Sequence, residues 1–201
     1  MTSWVAPFRI GEILWGKSVA AVGRFELELP SCALLYGEAL ALGVGSDPGP
    51  FVAAMGESSV VFEIALGASG NEPLAVLIRD SLLGNQECTM AESKHGFGVD
   101  SGIVGFVDPS LSDVYMRSIG EDSEAFLSWW ASVNHSGFAV WSRPGVTALL
   151  VRADDGAFFA HRLLLDGRVR GLFIPLAADP YAFAWEHDRK ALFEETFVLR
   201  R

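Results

Sequence analysis

The residues of this chain that are best suited to do chemistry lie in one glycine-rich segment, HGFGVDSGIVGFVD, at positions 95–108. It sets two aspartates among four glycines and several apolar residues. An aspartate flanked by glycines can bind a cation or act as a base, because glycines let backbone amides and ligands approach closely. One interpretation is therefore an enzyme, or a small-ligand or metal-binding domain, with its pocket around Asp100 and with His95, Ser101 and His135 as helpers.

The same segment also has the composition of a turn between two strands. Asp-Ser-Gly is ordinary turn chemistry, in which the carboxylate accepts hydrogen bonds from amides two residues further on. Asp108 stands directly before Pro109, an order typical of a helix N-cap, because the carboxylate satisfies unpaired amides and proline suits the first helical position. The sequence leaves both interpretations of Asp100 open.

The sequence contains no motif for a metal site or an activated nucleophile. Its histidines form no HExxH or HxH pattern, its cysteines form no CxxC pair, and no GxSxG is present. We therefore predict no cofactor, and no catalytic or metal-binding residue unless Asp100 and His95 act as a catalytic pair or Asp100 holds a metal. Cys32 and Cys88 fit buried thiols in a reducing compartment, and a single bridge between them stays open. The histidines are His95, His135, His161 and His187.

Composition predicts one folded, acidic domain over residues 1–201. Half of the 201 residues are hydrophobic and only 20% are charged, which suits a sizeable core and not a disordered chain. The formal net charge of −10 disfavours binding to nucleic acid or to anionic membranes. That charge serves either solubility or the steering of a basic partner. The N-terminal residues do not resemble a signal peptide and no apolar run reaches the ~18 residues of a membrane span, so we expect a cytoplasmic protein.

Aromatic residues near the C-terminus suggest a binding surface. Tyr181, Phe183 and Trp185 alternate along the chain and are followed by Glu186 and Asp188. An aromatic strip edged by acids has the composition of a protein interface. We predict that these five residues bind a protein partner, and the alternative is a last strand that closes the core.

Hydrophobic periodicity predicts a strand-rich fold. Residues 24–36 begin with strict alternation, and the runs 58–66 and 73–80 read as two neighbouring antiparallel strands. Helical spacing follows Pro109 and recurs in EDSEAFLSWWASV, and we expect these two helices to cap one end of a sheet. From Gly137 onward strands return as an antiparallel meander with hairpin signals at Asp155–Gly156 and Asp166–Gly167.

These elements predict an α+β fold. It is dominated by antiparallel β-sheet, with two helices inserted mid-chain and a short C-terminal helix around residues 186–195. A sandwich is one arrangement of the strands that the sequence leaves open.

The order of these segments resembles a bacterial family catalogued as domain of unknown function 4241. The likeness covers about residues 27–176, and its most specific piece is FGVDSGIVGFVD, which looks like the family's Val-Asp-Ala/Ser-Gly segment followed by a second Asp. The resemblance implies a strand-rich domain and little about activity. The family pattern also has a Ser-Gly-Trp-Gly-Asp-Gly-like loop after the helices, of which this chain keeps Ser136 and Gly137 without a following Asp. This departure makes a binding role relatively more favourable than a two-aspartate site.

Together these observations favour a small, non-enzymatic binding protein, most concretely an immunity-type protein that neutralises a basic bacterial toxin. Its acids would steer the toxin and mimic an anionic substrate, and its aromatic residues would form the buried part of the contact. The enzyme or ligand pocket at Asp100 is the alternative. A structural subunit of a larger assembly is a third possibility, and the oligomeric state stays open.

Overall fold

A computed structural model describes residues 7–43, 50–83, 86, 88–91, 96–120 and 123–177 of the chain. Within them lie fifteen strands and two α-helices. The helices are α1 (Ser112–Gly120) and α2 (Ser123–Val133). The strands are β1 (Ile13–Leu14), β2 (Lys17–Ser18), β3 (Ala21–Glu28), β4 (Ala33–Glu38), β5 (Phe51–Ala54), β6 (Ser59–Leu66), β7 (Pro73–Asp80), β8 (Thr89–Ala91), β9 (Gly96–Val99), β10 (Ile103–Val107), β11 (Phe138–Arg143), β12 (Val146–Arg152), β13 (Gly156–Phe159), β14 (His161–Leu165) and β15 (Arg168–Pro175).

Two antiparallel sheets form the body of the described structure. The six-stranded sheet has the order β3-β6-β7-β15-β14-β8, and the five-stranded sheet has the order β11-β12-β10-β4-β5. The predicted antiparallel neighbours at 58–66 and 73–80 are confirmed as β6 and β7. The alternation in β3 is confirmed as well, because Leu27 is buried while Glu26 and Glu28 are exposed.

The two sheets pack face to face on one apolar core. Phe62 of the six-stranded sheet meets Phe106 of the five-stranded sheet, with ring centroids 5.1 Å apart. A separate pair of strands, β9 and β13, contributes Phe97 and Phe158 to the same core. Side chains alternate between the two faces of a strand, so each sheet also has an outer face that points away from this core.

The helices cover the outer face of the five-stranded sheet and do not cap its end as predicted. Tyr115, Phe126 and Trp130 pack with strand residues such as Trp141 on that face. The reason is that the sequence of β10, IVGFV, is apolar on both faces. Its outer face therefore needs cover, and β10 is buried along its whole length. The phenol of Tyr115 donates to the carbonyl oxygen of Ala39 at 3.0 Å, which fixes α1 to the end of β4.

The N-terminal segment covers part of the outer face of the six-stranded sheet. Phe8, Leu14 and Val19 pack there against strand residues that include Leu77 and Phe173. In the described part of the chain, neither helix has the length and apolar character required to cross a membrane.

The predicted meander is divided between the two sheets. Asp166–Gly167 does form the β14–β15 hairpin, with positive φ at both residues. Asp155–Gly156 does not form one, because β12 pairs with β10 and β11 whereas β13 pairs with β9. The hairpin prediction at 155–156 is therefore wrong, since the Asp-Gly turn there sends the chain out of one sheet toward another. The helix predicted around 186–195 lies outside the described residues.

Candidate functional site

The Asp100 segment is a tight turn that joins β9 to β10 and is held by a glutamate from another strand. Gly102 has a φ of +70°, a conformation that favours glycine. The backbone amides of Asp100 and Ser101 donate to Glu38 Oε2 at 2.7 and 3.0 Å, and the Ser101 hydroxyl donates to Glu38 Oε1. The turn's donors therefore bind the protein's own carboxylate.

Glu38 occupies this position because it ends β4, the strand next to β10. Its Cα is paired with that of Val104, so its side chain reaches the turn that precedes β10. Glu38 Oε1 also accepts from the amide of Leu40 at 3.2 Å, capping the 3₁₀ turn after β4. Glu38 was not predicted from the sequence, because its partners in the turn are more than sixty residues away and no local motif marks it.

Asp100 itself is exposed, and its side chain makes no hydrogen bond or ion pair with any described residue. The Ser101 hydroxyl donates to Glu38, and no hydrogen bond joins it to the Asp100 carboxylate. His135 lies in a 3₁₀ turn before β11, where its Nδ1 is 3.2 Å from the carbonyl oxygen of Ser132. His95 is outside the described residues. The structure thus does not join Asp100, Ser101 and His135 into one hydrogen-bonded group, and the catalytic or metal interpretation of Asp100 stays a prediction.

Two further aspartates lie beside the Asp100 turn. The amide of Ala153 donates to the carbonyl oxygen of Gly102 at 2.9 Å, which brings the β12–β13 connection against the β9–β10 turn. A methyl group built on Gly102 would lie 3.9 Å from Asp155 Oδ1. Asp154 and Asp155 are exposed like Asp100. We call Asp100, Asp154 and Asp155 the acidic end.

None of the three carboxylates of the acidic end forms an ion pair with a residue that the structure describes. Arg152 directly precedes the β12–β13 connection, but its Nη2 donates to the carbonyl oxygen of Asn71 at 2.7 Å. Like charges on adjacent turns repel one another. Because no described cation neutralises these carboxylates, they can attract a basic partner.

Asp108, the second aspartate of the segment, has a structural role. It is fully buried, and its Oδ1 accepts from the amide of Ser110 at 2.7 Å, which confirms the predicted N-cap. Its Oδ2 accepts from the amide and hydroxyl of Ser31 at 2.8 and 2.9 Å. Both oxygens of Asp108 are therefore occupied by the protein's own donors.

A second polar cluster lies on the outer face of the six-stranded sheet. The fully buried carboxylate of Glu63 accepts from Arg24 Nη2 at 2.7 Å, from Arg79 Nη2 at 3.0 Å and from the amide of Phe8 at 3.2 Å. These groups lie at a cavity of about 410 Å³ beside the N-terminal segment. The cluster was not predicted from the sequence, because Glu63 and Arg79 sit within runs that read as ordinary strands.

The described residues contain no group of three His, Cys, Asp or Glu side chains that could hold a metal ion. Cys88 is buried as expected, but Cys32 is exposed, so the expectation of a buried thiol is wrong for Cys32; the two cysteines are not bridged to each other. All five residues of the predicted partner-binding strip lie outside the described residues. They are Tyr181, Phe183, Trp185, Glu186 and Asp188.

Comparison of the chain with protein-family models, with curated proteins and with solved structures finds no match. The resemblance to domain of unknown function 4241 therefore stays a prediction. What the chain does must be inferred from its own residues.

Proposed function

We propose that this chain is a binding protein for a basic protein partner, of the immunity type, which neutralises a bacterial toxin by covering its active site. The observation that supports it is the acidic end, where Asp100, Asp154 and Asp155 are exposed without an ion-pair partner among the described residues. The net charge of −10 adds a long-range field of the same sign. A surface of this kind attracts a cationic site and disfavours an anionic ligand.

In this proposal the acidic end steers the partner and the aromatic strip anchors it. Exposed charges chiefly raise the rate of association, whereas buried aromatic residues slow dissociation. The carboxylates would take the place of the anionic substrate in the toxin's active site. Tyr181, Phe183 and Trp185 would supply the water-excluding part of the contact.

The first test is capture of the partner with the tagged full chain from its native cells, at low and moderate salt, followed by mass spectrometry. We expect one basic protein in near-stoichiometric amount, released as salt rises. Expressed alone the partner should arrest growth, and co-expression of the chain should restore it. A partner that is harmless alone would refute the immunity role, and the absence of a basic partner would refute the binding role.

The second test measures association and dissociation rates with the purified partner. The triple variant Asp100→Asn, Asp154→Asn, Asp155→Asn should slow association about tenfold with little effect on dissociation. A matched control removes the same charge elsewhere, with Glu28→Gln, Asp113→Asn and Asp166→Asn, three exposed acids on other elements. Equal slowing by both triple variants would show that only net charge matters and would refute the role of the acidic end.

The third test addresses the aromatic strip. Truncation of Trp185 to alanine, together with charge reversal of Glu186 and Asp188 to lysine, should raise the dissociation rate at least about tenfold. Unchanged binding would remove residues 181–188 from the proposed contact while leaving the acidic end to be judged by its own variants.

A further inference from the structure

We propose that the cavity beside Arg24 binds a small oxyanion, a carboxylate or phosphate group carried on a short apolar stem. The cavity has a volume of about 410 Å³ and lies on the outer face of the six-stranded sheet. It is separate from the acidic end: Arg24 of the edge strand β3 lies opposite Glu63 of β6. The acidic end instead lies on the connections that follow β9 and β12.

Two described arginines share one carboxylate at the cavity. Glu63 faces two guanidinium groups, Arg24 and Arg79, at 2.7 and 3.0 Å. Asp80, which also lines the cavity, has its own partner, because Arg170 Nη1 lies 3.2 Å from Asp80 Oδ2. Among the described residues, the exposed Arg24 and the buried Arg79 therefore share the single Glu63 carboxylate. A bound oxyanion would give the exposed Arg24 a second acceptor.

Arg24 is not needed to satisfy Glu63. The Arg79 side chain is only 10% exposed and binds Glu63 Oε1. The Phe8 amide donates to the other carboxylate oxygen of Glu63, Oε2. Arg24 is different, because its side chain is 66% exposed. Within the described residues it makes one hydrogen bond, from Nη2 to Glu63. A guanidinium has five N–H donors in a planar fork that matches an oxyanion. Arg24 thus lines the cavity with donors that no described residue occupies.

The lining of the cavity around that fork suits an apolar stem. Val61 and Pro7 contribute apolar surface, and Ser81 adds a hydroxyl that makes no hydrogen bond within the described part of the chain. An apolar wall with a few placed polar groups is the usual lining of a small-molecule site. The ligand's apolar stem would lie on Val61 and Pro7 while its oxyanion pairs with Arg24. The Arg24 guanidinium would keep its ion pair with Glu63.

The experiment titrates the full chain with sodium propionate and with inorganic phosphate, with sodium chloride adjusted to keep the ionic strength constant. Chemical shifts of backbone amides and arginine Nε–H groups report the site. We expect saturable shifts at Arg24, Val61 and Ser81. Saturation by propionate alone identifies a carboxylate ligand, by phosphate alone a phosphate ligand, and by both a general oxyanion site. Shifts that are absent, or that rise linearly without saturation, overturn the proposal.

Variants separate the site from a general effect of charge. Arg24→Gln should weaken binding at least about tenfold, the loss expected when a charge-assisted hydrogen-bonded pair is removed. Arg117→Gln, which removes an exposed arginine on α1, should leave the affinity unchanged. Arg24→Lys should give an intermediate affinity, because lysine keeps the charge and loses the planar fork. Equal weakening by Arg24→Gln and Arg117→Gln would overturn the assignment.

Arg24→Gln is expected to fold, because Arg79 and the Phe8 amide still satisfy Glu63. The thermal midpoint and the shift dispersion of the variant check this directly. If the variant unfolds, protection of Arg24 from phenylglyoxal by propionate or phosphate in the wild-type chain provides a second measurement. Protection at Arg24 with none at Arg117 supports the site, and equal reactivity of Arg24 with and without anion overturns it.

Discussion

Replacing Asp108 by alanine should lower the free energy of unfolding by about 2–4 kcal/mol. Asp108 joins two distant parts of the chain, the connection between β3 and β4 at Ser31 and the start of the helical segment at Ser110. Its fully buried carboxylate accepts four hydrogen bonds, from the amide and hydroxyl of Ser31 at 2.8 and 2.9 Å and from those of Ser110 at 2.7 and 2.5 Å. No described cation pairs with it.

The magnitude depends on the donors that lose their acceptor. The amides of Ser31 and Ser110 would each be left without a partner, at about 1–3 kcal/mol apiece. Both serines are exposed, so water can reach part of each amide and the lower half of that range applies. The two hydroxyls can rotate toward solvent and add little. The sum is about 2–4 kcal/mol, which is larger than the cost of about 1 kcal/mol for a typical N-cap.

Asparagine at the same position separates the two halves of the interaction. It keeps the shape and one acceptor oxygen, but its amide nitrogen is a donor and would face the two donors of one serine. Asp108→Asn should therefore cost about 1–2 kcal/mol, half of the alanine effect. Asp113→Asn is the matched control, because Asp113 is exposed in the first turn of α1 and should cost at most about 0.5 kcal/mol.

Urea unfolding monitored by tryptophan fluorescence measures all three variants. The midpoint should fall in the order Asp113→Asn, Asp108→Asn, Asp108→Ala, with unchanged dependence on urea. Equal midpoints for Asp108→Ala and Asp113→Asn would refute the assignment of Asp108 as a buried bridge. A loss of only about 1 kcal/mol for Asp108→Ala would mean that Asp108 stabilises the chain only as an ordinary N-cap and that its bonds to Ser31 contribute little.

Burial raises the pKa of the Tyr115 phenol well above its ordinary value, so above about pH 10 the unfolded chain loses a proton that the folded chain keeps. The free energy of unfolding should then fall with pH by up to about 1.4 kcal/mol per unit, and urea unfolding of Tyr115→Phe should show a shallower alkaline decline; parallel slopes would contradict this. Gly171→Ala should destabilise the chain by about 1–3 kcal/mol, since the new methyl would overlap the carbonyl oxygen of Ile78. Gly98→Ala is its control within a strand, with no atom within 4 Å of the new methyl, and equal thermal midpoints for the two variants would show that β15 can shift to accept the methyl.

Local features of the fold were predictable from the sequence. The β6–β7 pair, the two helices and the Asp108 N-cap depend on residues that are neighbours along the chain or within one turn. Their signals are the period of the apolar residues and the placement of Pro109, which act over a few positions. These predictions are confirmed for that reason.

The assignment of strands to sheets was not predictable in the same way. Residues 137–176 read as one meander, yet β11 and β12 belong to one sheet and β14 and β15 to the other. An Asp-Gly pair indicates a turn, but it does not determine which strand the chain pairs with afterwards. At Asp166 the two flanking strands pair with each other, and at Asp155 they do not.

In the glycine-rich segment at 95–108, some features depend on local sequence and others on tertiary contacts. The sequence by itself determined that this segment turns and that Asp108 caps the helical turn after it. Only the tertiary structure decided that Glu38 occupies the donors of the turn, that Asp155 lies beside it, and that Glu63 draws Arg24 and Arg79 together. A turn depends on backbone preferences of adjacent residues, whereas these contacts join positions 16 to 63 residues apart that become neighbours only when strands pair.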